Sequence, residues 1–486
     1  LKELKDAYPQ NPRLETRFNE IEGEIVRNVS GENPPQNVID HLQALHKEKK
    51  FQLILKKCEL LLKALPKSEF LWNATAAAQV EIKETQKGLI SAKKALKIDP
   101  NYYGAHLNHS RALVDLGQLE DAISPLLKAV SLKPEKSEAY NNLGTIYEKL
   151  NRDDDAERCL KQALEVDPEF ANAQHTLGIV KLKKHEFAEG WSLTNARFNT
   201  DFFDSRRVIG EEENEWNGEK VGTLFVWAEQ GVGDEAMFAS AFDSLLERCD
   251  KLVVSATNRM LPILFRSFDL PNIEFVPREN KNINFSFDAH APIMSAVGRV
   301  RPTSSSFRGV RQSYLRPDPD RVATIKEELK AAAGGRKIYG ISWFSLAKWY
   351  GKQRSIKLHK LVKCIPADAF IVSLQYGSAA GDITKLKRDH GIYVHQVDAV
   401  DNFVDLDGFM ALIDACDHIV SIDNSTVHFA GALGKPCDVL LPFSSNWRWG
   451  SNGSRSSYWF DSLRLHWQVV EGDWQPCIEQ LSQDLS

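Results

Sequence analysis

The chain has 486 residues, of which 43% are hydrophobic and 26% are charged, and its formal net charge at pH 7 is −5. This length predicts roughly two to four domains, each with a core of its own. The small negative charge argues against a general nucleic-acid binder, which would carry a surplus of basic residues. No apolar run approaches the roughly 20 residues of a membrane helix, so we expect no membrane span.

Seven cysteines are scattered along the sequence, without a CxxC pair and without a histidine at ligand spacing. This distribution favours a reducing compartment and argues against a structural zinc site. The N-terminal residues LKELKDAYPQNPRL contain no apolar signal core. We therefore expect a cytoplasmic protein with no metal site and no bound cofactor.

An N-terminal arm, residues 1–34, contains one helical pattern from roughly Pro12 to Val29, and a repeat follows it. The repeat is marked by prolines at intervals of 34 residues, at Pro66, Pro100, Pro134 and Pro168. The unit Ser137–Pro168, with its small residues at fixed positions, resembles the tetratricopeptide repeat. Such units pair antiparallel helices and stack, because one unit cannot bury its apolar face alone. We therefore predict an α solenoid over residues 35–189 that holds a partner, with a purely spacing role as the alternative.

Residues 190–220 are predicted to form a connector. It begins near Gly190 and contains the acidic run EEENEWNGEK. Three aromatic side chains, Trp191, Phe198 and Phe202, are expected to fix the solenoid against the part of the chain that follows.

From residue 221 onward, short apolar runs alternate with helical patterns, which predicts parallel sheets covered by helices on both faces. We predict a first Rossmann-like lobe at 221–315 and a second at 316–486, with ligands bound at the carboxyl ends of their strands. Predicted strands are 223–228, 252–256, 273–276, 284–287, 338–343, 370–374, 392–395, 419–422 and 437–441.

The first candidate motif, Glu229–Asp234, directly follows a predicted strand. Gly231 and Gly233 permit a tight turn and a close approach of backbone to a ligand, and Gln230 lies between them and the strand. Asp234 is placed at a helix N-terminus, where a carboxylate facing the cleft could take a proton from a hydroxyl group. The alternative is an ordinary helix cap worth about 1 kcal/mol.

The second motif follows the first strand of the second lobe. It combines Trp343 and Ser345 with Lys348, Arg354 and Ser355. Hydroxyl groups and fixed cations suit a diphosphate, because arginine binds phosphate oxygens with two parallel hydrogen bonds. The alternative is a solvated basic loop.

The third motif, Asp423–His428, lies between a strand and a helix and includes Asn424, Ser425 and Thr426. Free backbone N–H groups and the positive end of the helix dipole make such a turn an anion site. The alternative is a cap followed by a packed histidine. The signals at His290, at Gln375 beside a possible nucleobase and at Trp447–Trp449 are weaker, since each residue could line the cleft or simply pack.

Four stretches, AEQGVGDEAMFASAF, HAPIMS, GISWFSLAKWYGKQRSI and SIDNSTVHFAGALGKPCDVLLPFSSNWRWG, resemble blocks of the heptosyltransferase-like group of the glycosyltransferase-B fold. The combination with tetratricopeptide repeats occurs in many bacterial proteins and is distantly similar to the O-linked N-acetylglucosamine transferases. The resemblance implies metal-independent transfer of a sugar from a nucleotide-diphosphate donor, with inversion, in a cleft between the two lobes.

The resemblance also implies roles for individual residues. Asp234 matches the proposed base, and the donor-phosphate residues match Ser345, Lys348, Arg354, Asn424, Ser425, Thr426 and His428. Two positions depart from the family pattern, because Ser345 replaces a usual glycine and Gly351 replaces a usual acidic residue.

The expected function is therefore a glycosyltransferase whose acceptor, a protein or a glycan, is held by the repeats. Two alternatives stay open. One is a non-catalytic scaffold with a degenerate transferase part that binds a partner protein. The other is a sugar-phosphate epimerase or similar α/β enzyme, for which Asp423 and His428 would supply the acid–base groups.

Overall fold

The computed structural model describes residues 32–200, 214–279, 285–308, 312–347, 351–451 and 453–486. The chain divides into two compact units, Leu1–Ala173 and Gln174–Ser486. The predicted arm helix Pro12–Val29 lies outside the described residues.

The first unit is built of antiparallel helix pairs, as the 34-residue period predicts. Its helices are α1 Gln36–Lys47, α2 Phe51–Ala64, α3 Glu69–Glu81, α4 Thr85–Ile98, α5 Tyr103–Asp115, α6 Ile123–Leu132, α7 Ser137–Lys149 and α8 Asp153–Val166. Small residues let the paired helices approach closely: a Cβ on Gly144 would lie 2.5 Å from Cγ of Leu160. Ala156 and Ala163 of α8 are fully buried.

The turn inside each helix pair repeats with the same 34-residue period. One residue with positive φ occurs in each turn, at Lys49, Lys83, Gly117, Asn151 and His185, with φ between 53° and 79°. The last of these connects α9 Ala171–Lys183 to α10 Phe187–Thr194. The period thus continues through a fifth helix pair, beyond the last of the marker prolines.

The second unit contains two parallel sheets with the orders β3-β2-β1-β4 and β6-β5-β7-β8-β9. The strands are β1 Val221–Trp227, β2 Cys249–Ala256, β3 Ile273–Pro277, β4 Ala289–Pro292, β5 Ile338–Ser342, β6 Phe370–Ser373, β7 His418–Ile422, β8 Cys437–Leu441 and β9 Leu463–Trp467. The helices are α11 Val232–Phe238, α12 Phe242–Leu246, α13 Leu261–Ser267, α14 Ile293–Val300, α15 Pro319–Ala333, α16 Gly351–Arg354, α17 Leu358–Leu361, α18 Ala380–His390, α19 Leu406–Ala415, α20 Ser425–Ala432 and α21 Gln475–Leu485. Two lobes of the α/β class are therefore present.

Two predicted strands are wrong. Residues 285–287 are not extended into the sheet, and the strand that pairs with β1 is β4, which begins at Ala289. Residues 392–395 make only the isolated bridge between His395 and Val372. In both places an aromatic or β-branched run suggested a strand, whereas the paired segment Ala289–Pro292 is short and contains two alanines and a proline.

The connector is anchored in the second unit. Trp191 is buried, its indole N–H donates to the carbonyl of Arg301 over 2.8 Å, and its ring lies 5.2 Å from that of Trp447. Phe198 packs against Trp227 with ring centroids 5.5 Å apart. Phe202 lies outside the described residues. Across the described ranges, helices that combine the length and the apolar character needed to cross a bilayer are absent.

Candidate functional site

The first and third motifs lie against each other. Helix α11 begins at Val232 and helix α20 at Ser425, one in each lobe. A Cβ added to Gly233 would lie 3.0 Å from Cδ2 of His428 and 3.5 Å from Cα of Ser425. Glycine at position 233 thus permits direct contact between the two helix starts, and the residues predicted as base and as anion pocket share one place.

Asn424 is the cap of α20. Its side-chain oxygen accepts a hydrogen bond of 3.0 Å from the backbone N–H of Thr426, and its amide donates to the hydroxyl of Ser342 over 2.8 Å. The first contact caps the helix, and the second ties the turn to the end of β5. Since the side chain is buried and engaged on both sides, Asn424 shapes the pocket.

Asp423 fixes the other side of this turn. Its carboxylate accepts from the indole N–H of Trp449 over 3.0 Å, and its carbonyl accepts from Nη1 of Arg354 over 2.7 Å. The guanidinium of Arg354 is therefore held beside the N-terminus of α20. The positive charge of Arg354 and the positive end of the helix dipole act at the same point, and together they favour the binding of an anion there.

Three buried polar atoms around the turn have no hydrogen-bond partner within the described part of the chain. They are Oγ1 of Thr426, Nδ1 of His428 and Nε of Arg448. Thr426 is fully buried and His428 is 6% exposed. Leaving a buried polar group unpaired costs about 1–3 kcal/mol, so such a cluster indicates a place where a polar ligand or water completes the bonding.

His428 is held in its neutral form. Burial lowers the pKa of its imidazole to about 4, and the nearby guanidinium of Arg448 contributes to this lowering. The ring stacks on Trp449, with centroids 5.4 Å apart and an interplanar angle of 17°. At neutral pH the imidazole can donate or accept a hydrogen bond, but it adds no charge to the site.

Asp234 carries two sets of contacts. One carboxylate oxygen accepts from the backbone N–H of Gly231 over 3.2 Å, which caps α11, and the other forms an ion pair with Nη2 of Arg448. The same Nη2 donates to the side-chain oxygen of Gln230 over 3.2 Å. Arg448 comes from the second lobe, so this contact joins the two lobes at the candidate base.

The loop after β5 is held together by Gln375. The side-chain oxygen of this buried residue accepts from the backbone N–H groups of Trp343 and Phe344, and its amide donates to the carbonyls of Phe344 and Tyr376. The amide is thus committed to the backbone of the loop, and the expectation that it faces a nucleobase is corrected to a supporting role.

Trp343, predicted as a cleft residue, is only 1% exposed, and its indole N–H donates to Asp382 over 2.9 Å. It belongs to the core of the second lobe and does not form a wall of the cleft. Lys348 lies outside the described residues.

The two departures from the family pattern are linked. The N–H of Ser345 donates to the hydroxyl of Ser355 over 3.0 Å, and that hydroxyl donates to the carbonyl of Gly351 over 2.6 Å. A Cβ on Gly351 would lie 2.4 Å from the carbonyl oxygen of Ser345. An acidic side chain at position 351 is therefore incompatible with this loop.

His290 lies on β4, the strand that pairs with β1. It is 2% exposed, and its Nδ1 lies 3.3 Å from the indole nitrogen of Trp227. A cavity of about 400 Å³ lies beside it. The cavity is lined by Gln174, Ser192, Leu193, Asn195, Ala196, Phe198, Asn199, Glu215, Trp227, His290, Pro292 and Ser295.

Arg448 is the main residue that sequence reasoning did not assign to the site. The sequence leaves the segment Trp447–Trp449 as either wall or core, and both tryptophans are indeed buried. The contact of Arg448 with Asp234 spans 214 positions of sequence. The only available signal was a single arginine between two tryptophans near the end of a strand.

Comparison with known proteins gives matches in the repeats and over most of the chain. The family models "Tetratricopeptide repeat" and "TPR repeat" match residues 137–170 and 111–151. Protein FlbA of Caulobacter vibrioides is 26% identical over 477 residues, which are 93% of this chain and 72% of FlbA.

Among solved structures, the tetratricopeptide-repeat protein TTC0263 of Thermus thermophilus is 23% identical, with a TM-score of 0.32. That match covers 35% of this chain and 93% of TTC0263. MamA of Desulfovibrio magneticus is 19% identical, with a TM-score of 0.30, over 34% of this chain and 96% of MamA. The family matches show that the chain carries tetratricopeptide repeats in its N-terminal region.

Proposed function

We propose that the protein is a metal-independent glycosyltransferase that moves a sugar from a nucleotide-diphosphate donor to a hydroxyl group of an acceptor. The observation that carries this proposal is the meeting of two chemically different groups at one place. The carboxylate of Asp234 lies beside a helix N-terminus that has unpaired buried polar atoms and two arginines around it.

The donor diphosphate is assigned to the N-terminus of α20. The leaving nucleoside diphosphate gains negative charge as the sugar departs, and fixed positive groups stabilise that charge in the transition state. Arg354, held at the turn by the carbonyl of Asp423, supplies one such group, and the first amides of α20 supply another. Thr426 and His428 offer neutral hydrogen bonds to the same anion.

Asp234 is assigned as the general base. In this reaction the acceptor oxygen attacks the anomeric carbon as Asp234 takes the hydroxyl proton. The bond from that carbon to the diphosphate oxygen breaks, and the nucleoside diphosphate leaves with the bonding pair. Attack on the face opposite to the leaving group inverts the configuration at the anomeric carbon.

A polypeptide is the proposed acceptor, because stacked tetratricopeptide repeats present an extended surface for protein partners. The cavity beside His290 is assigned to a polar part of such an acceptor. Its lining combines the amides of Gln174, Asn195 and Asn199 with the hydroxyls of Ser192 and Ser295, and it includes the carboxylate of Glu215. The amides and hydroxyls donate and accept hydrogen bonds, and the carboxylate accepts them.

A non-catalytic scaffold is the second candidate, and one observation favours it: Asp234 is occupied by Arg448, which lowers its availability as a base. In that case the solenoid would bind its partner while the α/β lobes turn over no sugar. The two candidates differ in what they predict for nucleotide binding and for turnover.

A thermal-shift screen over UDP-, GDP-, ADP- and CMP-linked sugars tests the proposal. At a ligand concentration of 100 times Kd, a specific donor adds about 2.7 kcal/mol of stability. We expect a shift with at least one diphosphate sugar, a loss of that shift in Thr426→Val, and an unchanged shift in Lys251→Ala, whose side chain is 48% exposed near the start of β2. The shift should persist in Asp234→Ala while sugar transfer is abolished.

Absence of a shift with every nucleotide sugar would contradict donor binding and leave the scaffold as the better account. A normal turnover number in Asp234→Ala would remove that residue as the base, even if the donor binds.

A further inference from the structure

Arg448 has two possible partners at the site. In the structure its Nη2 contacts Asp234 and Gln230, while its Nε is buried without a hydrogen-bond partner in the described parts of the chain. The side chain of Arg448 is only 11% exposed, and its charge acts on the buried imidazole of His428. It is therefore bonded to the candidate base and acts on a residue of the candidate phosphate pocket.

The charges around His428 balance before any ligand binds. Two guanidinium groups, Arg354 and Arg448, and two carboxylates, Asp234 and Asp423, all act on the imidazole. Each cation faces one carboxylate: Arg354 lies 3.5 Å from Asp423, and Arg448 pairs with Asp234. A diphosphate that enters the pocket must therefore compete with these carboxylates for the cations.

We propose that Arg448 exchanges Asp234 for the diphosphate of the donor when the donor binds. The exchange supplies a second cation to the leaving group and frees the carboxylate oxygen of Asp234 for the acceptor hydroxyl. The base becomes available only after the donor is bound, which imposes an order on the reaction. This inference deepens the proposed function and depends on it.

The exchange has a thermodynamic consequence that does not require the acceptor. If Asp234 holds Arg448 away from the phosphate, then its neutral isostere Asp234→Asn releases the arginine, and a nucleoside diphosphate binds more tightly. For an ion pair of low exposure we expect about a fivefold decrease in Kd. Loss of Arg448 itself should weaken binding at least tenfold, since one charge-assisted contact to phosphate disappears.

Simple repulsion between Asp234 and the ligand would also be relieved by Asp234→Asn, so the two explanations must be separated. Repulsion acts whether or not Arg448 is present, and its relief would persist in Arg448→Met. Release of Arg448 cannot occur in that background. A double-mutant cycle therefore distinguishes a shared arginine from two independent charges.

The experiment is isothermal titration calorimetry of the full chain with UDP, GDP and ADP, using the nucleotide that binds best. The proteins are the unmodified chain, Asp234→Asn, Arg448→Met and the double variant, each checked for folding by circular dichroism. Arg448→Gln replaces Arg448→Met if the latter does not fold. As a matched control, the gain from Asp234→Asn is also measured in Arg354→Met, which removes the other cation.

We expect the gain from Asp234→Asn to disappear without Arg448 and to persist without Arg354. An equal gain in both backgrounds, or no gain in the unmodified background, would overturn the exchange while leaving donor binding intact. Failure of all three nucleotides to bind both the unmodified chain and Asp234→Asn would overturn the proposed function itself and the exchange with it.

Discussion

Asp438 on β8 provides a prediction about stability that can be worked out from the structure. Its buried carboxylate accepts hydrogen bonds from His418 over 2.7 Å, from His466 over 2.6 Å and from Nη2 of Arg464 over 2.9 Å. Burial alone raises the pKa of this carboxyl group, but the bonds from the two imidazoles and the guanidinium outweigh it and hold the pKa well below its usual value.

Replacing Asp438 by Asn keeps the shape but removes the charge and one of the two acceptor oxygens. The NH2 group that takes the place of that oxygen faces N–H donors and cannot accept from them. Breaking a buried pair by removing one partner costs about 3–5 kcal/mol. Since the side chain of Arg464 is 36% exposed and can be rehydrated, we take the lower end, about 3 kcal/mol. For a unit of this size that loss lowers Tm by about 5 °C.

The pH dependence follows from the sign of the shift. A carboxyl group whose pKa is lower in the folded state stabilises the fold above its unfolded pKa of about 3.9, and this contribution is lost as pH falls through the folded value. The difference between the unmodified chain and Asp438→Asn should therefore be largest near pH 7 and shrink below about pH 4. Urea unfolding at several pH values measures it, with exposed Asp461→Asn as control. A cost below about 1 kcal/mol at pH 7, or a difference that does not depend on pH, would refute the reasoning.

Three further predictions concern the repeats and the site. In the turn between α3 and α4, Lys83 has a φ of 65°, so Lys83→Gly should raise the free energy of unfolding by about 1 kcal/mol. Gly117 also has a positive φ, so Gly117→Ala should lower the free energy of unfolding by a similar amount, although a Cβ there has open space around it. Urea unfolding measures both changes. Because His428 is neutral when folded, with a pKa of about 4, stability should fall as pH drops from about 6.5 to 4, and His428→Gln should flatten this part of the measured profile. Gly233→Ala should cost about 1–3 kcal/mol and reduce nucleotide affinity, because its Cβ meets the stacked ring of His428. Gly381→Ala on α18, whose added Cβ has no neighbour within 4 Å, is the control in both melting and titration experiments.

The sequence predicts the repeat because prolines, and small residues on the helix faces, recur at intervals of 34 residues. It does not reveal the left-handed turns at Lys49 and Lys83, since lysine is not a typical residue for that conformation. The strand Cys437–Leu441, which is apolar except for Asp438, agrees with its predicted bounds, whereas the short strand Ala289–Pro292 carries no run of large apolar residues.

In the candidate site, the polar turn at Asn424 is predictable because its residues are consecutive and their chemistry is local. The meeting of that turn with Asp234 is expected only from the resemblance. The ion pair with Arg448 is not predictable at all, because the packing of two lobes decides it. The role of Gln375 is not predictable either, because the sequence alone does not show whether its amide bonds to a ligand or to the backbone of the loop after β5.

A crystal structure of the protein soaked with the nucleoside diphosphate that binds best would test the central claim most directly. The account predicts density for the two phosphates at the N-terminus of α20, within hydrogen-bond distance of the first amides of that helix and of Arg354, with Arg448 turned from Asp234 toward the ligand. A nucleotide bound elsewhere, with the turn at Asn424 unoccupied and Arg448 still on Asp234, would contradict it.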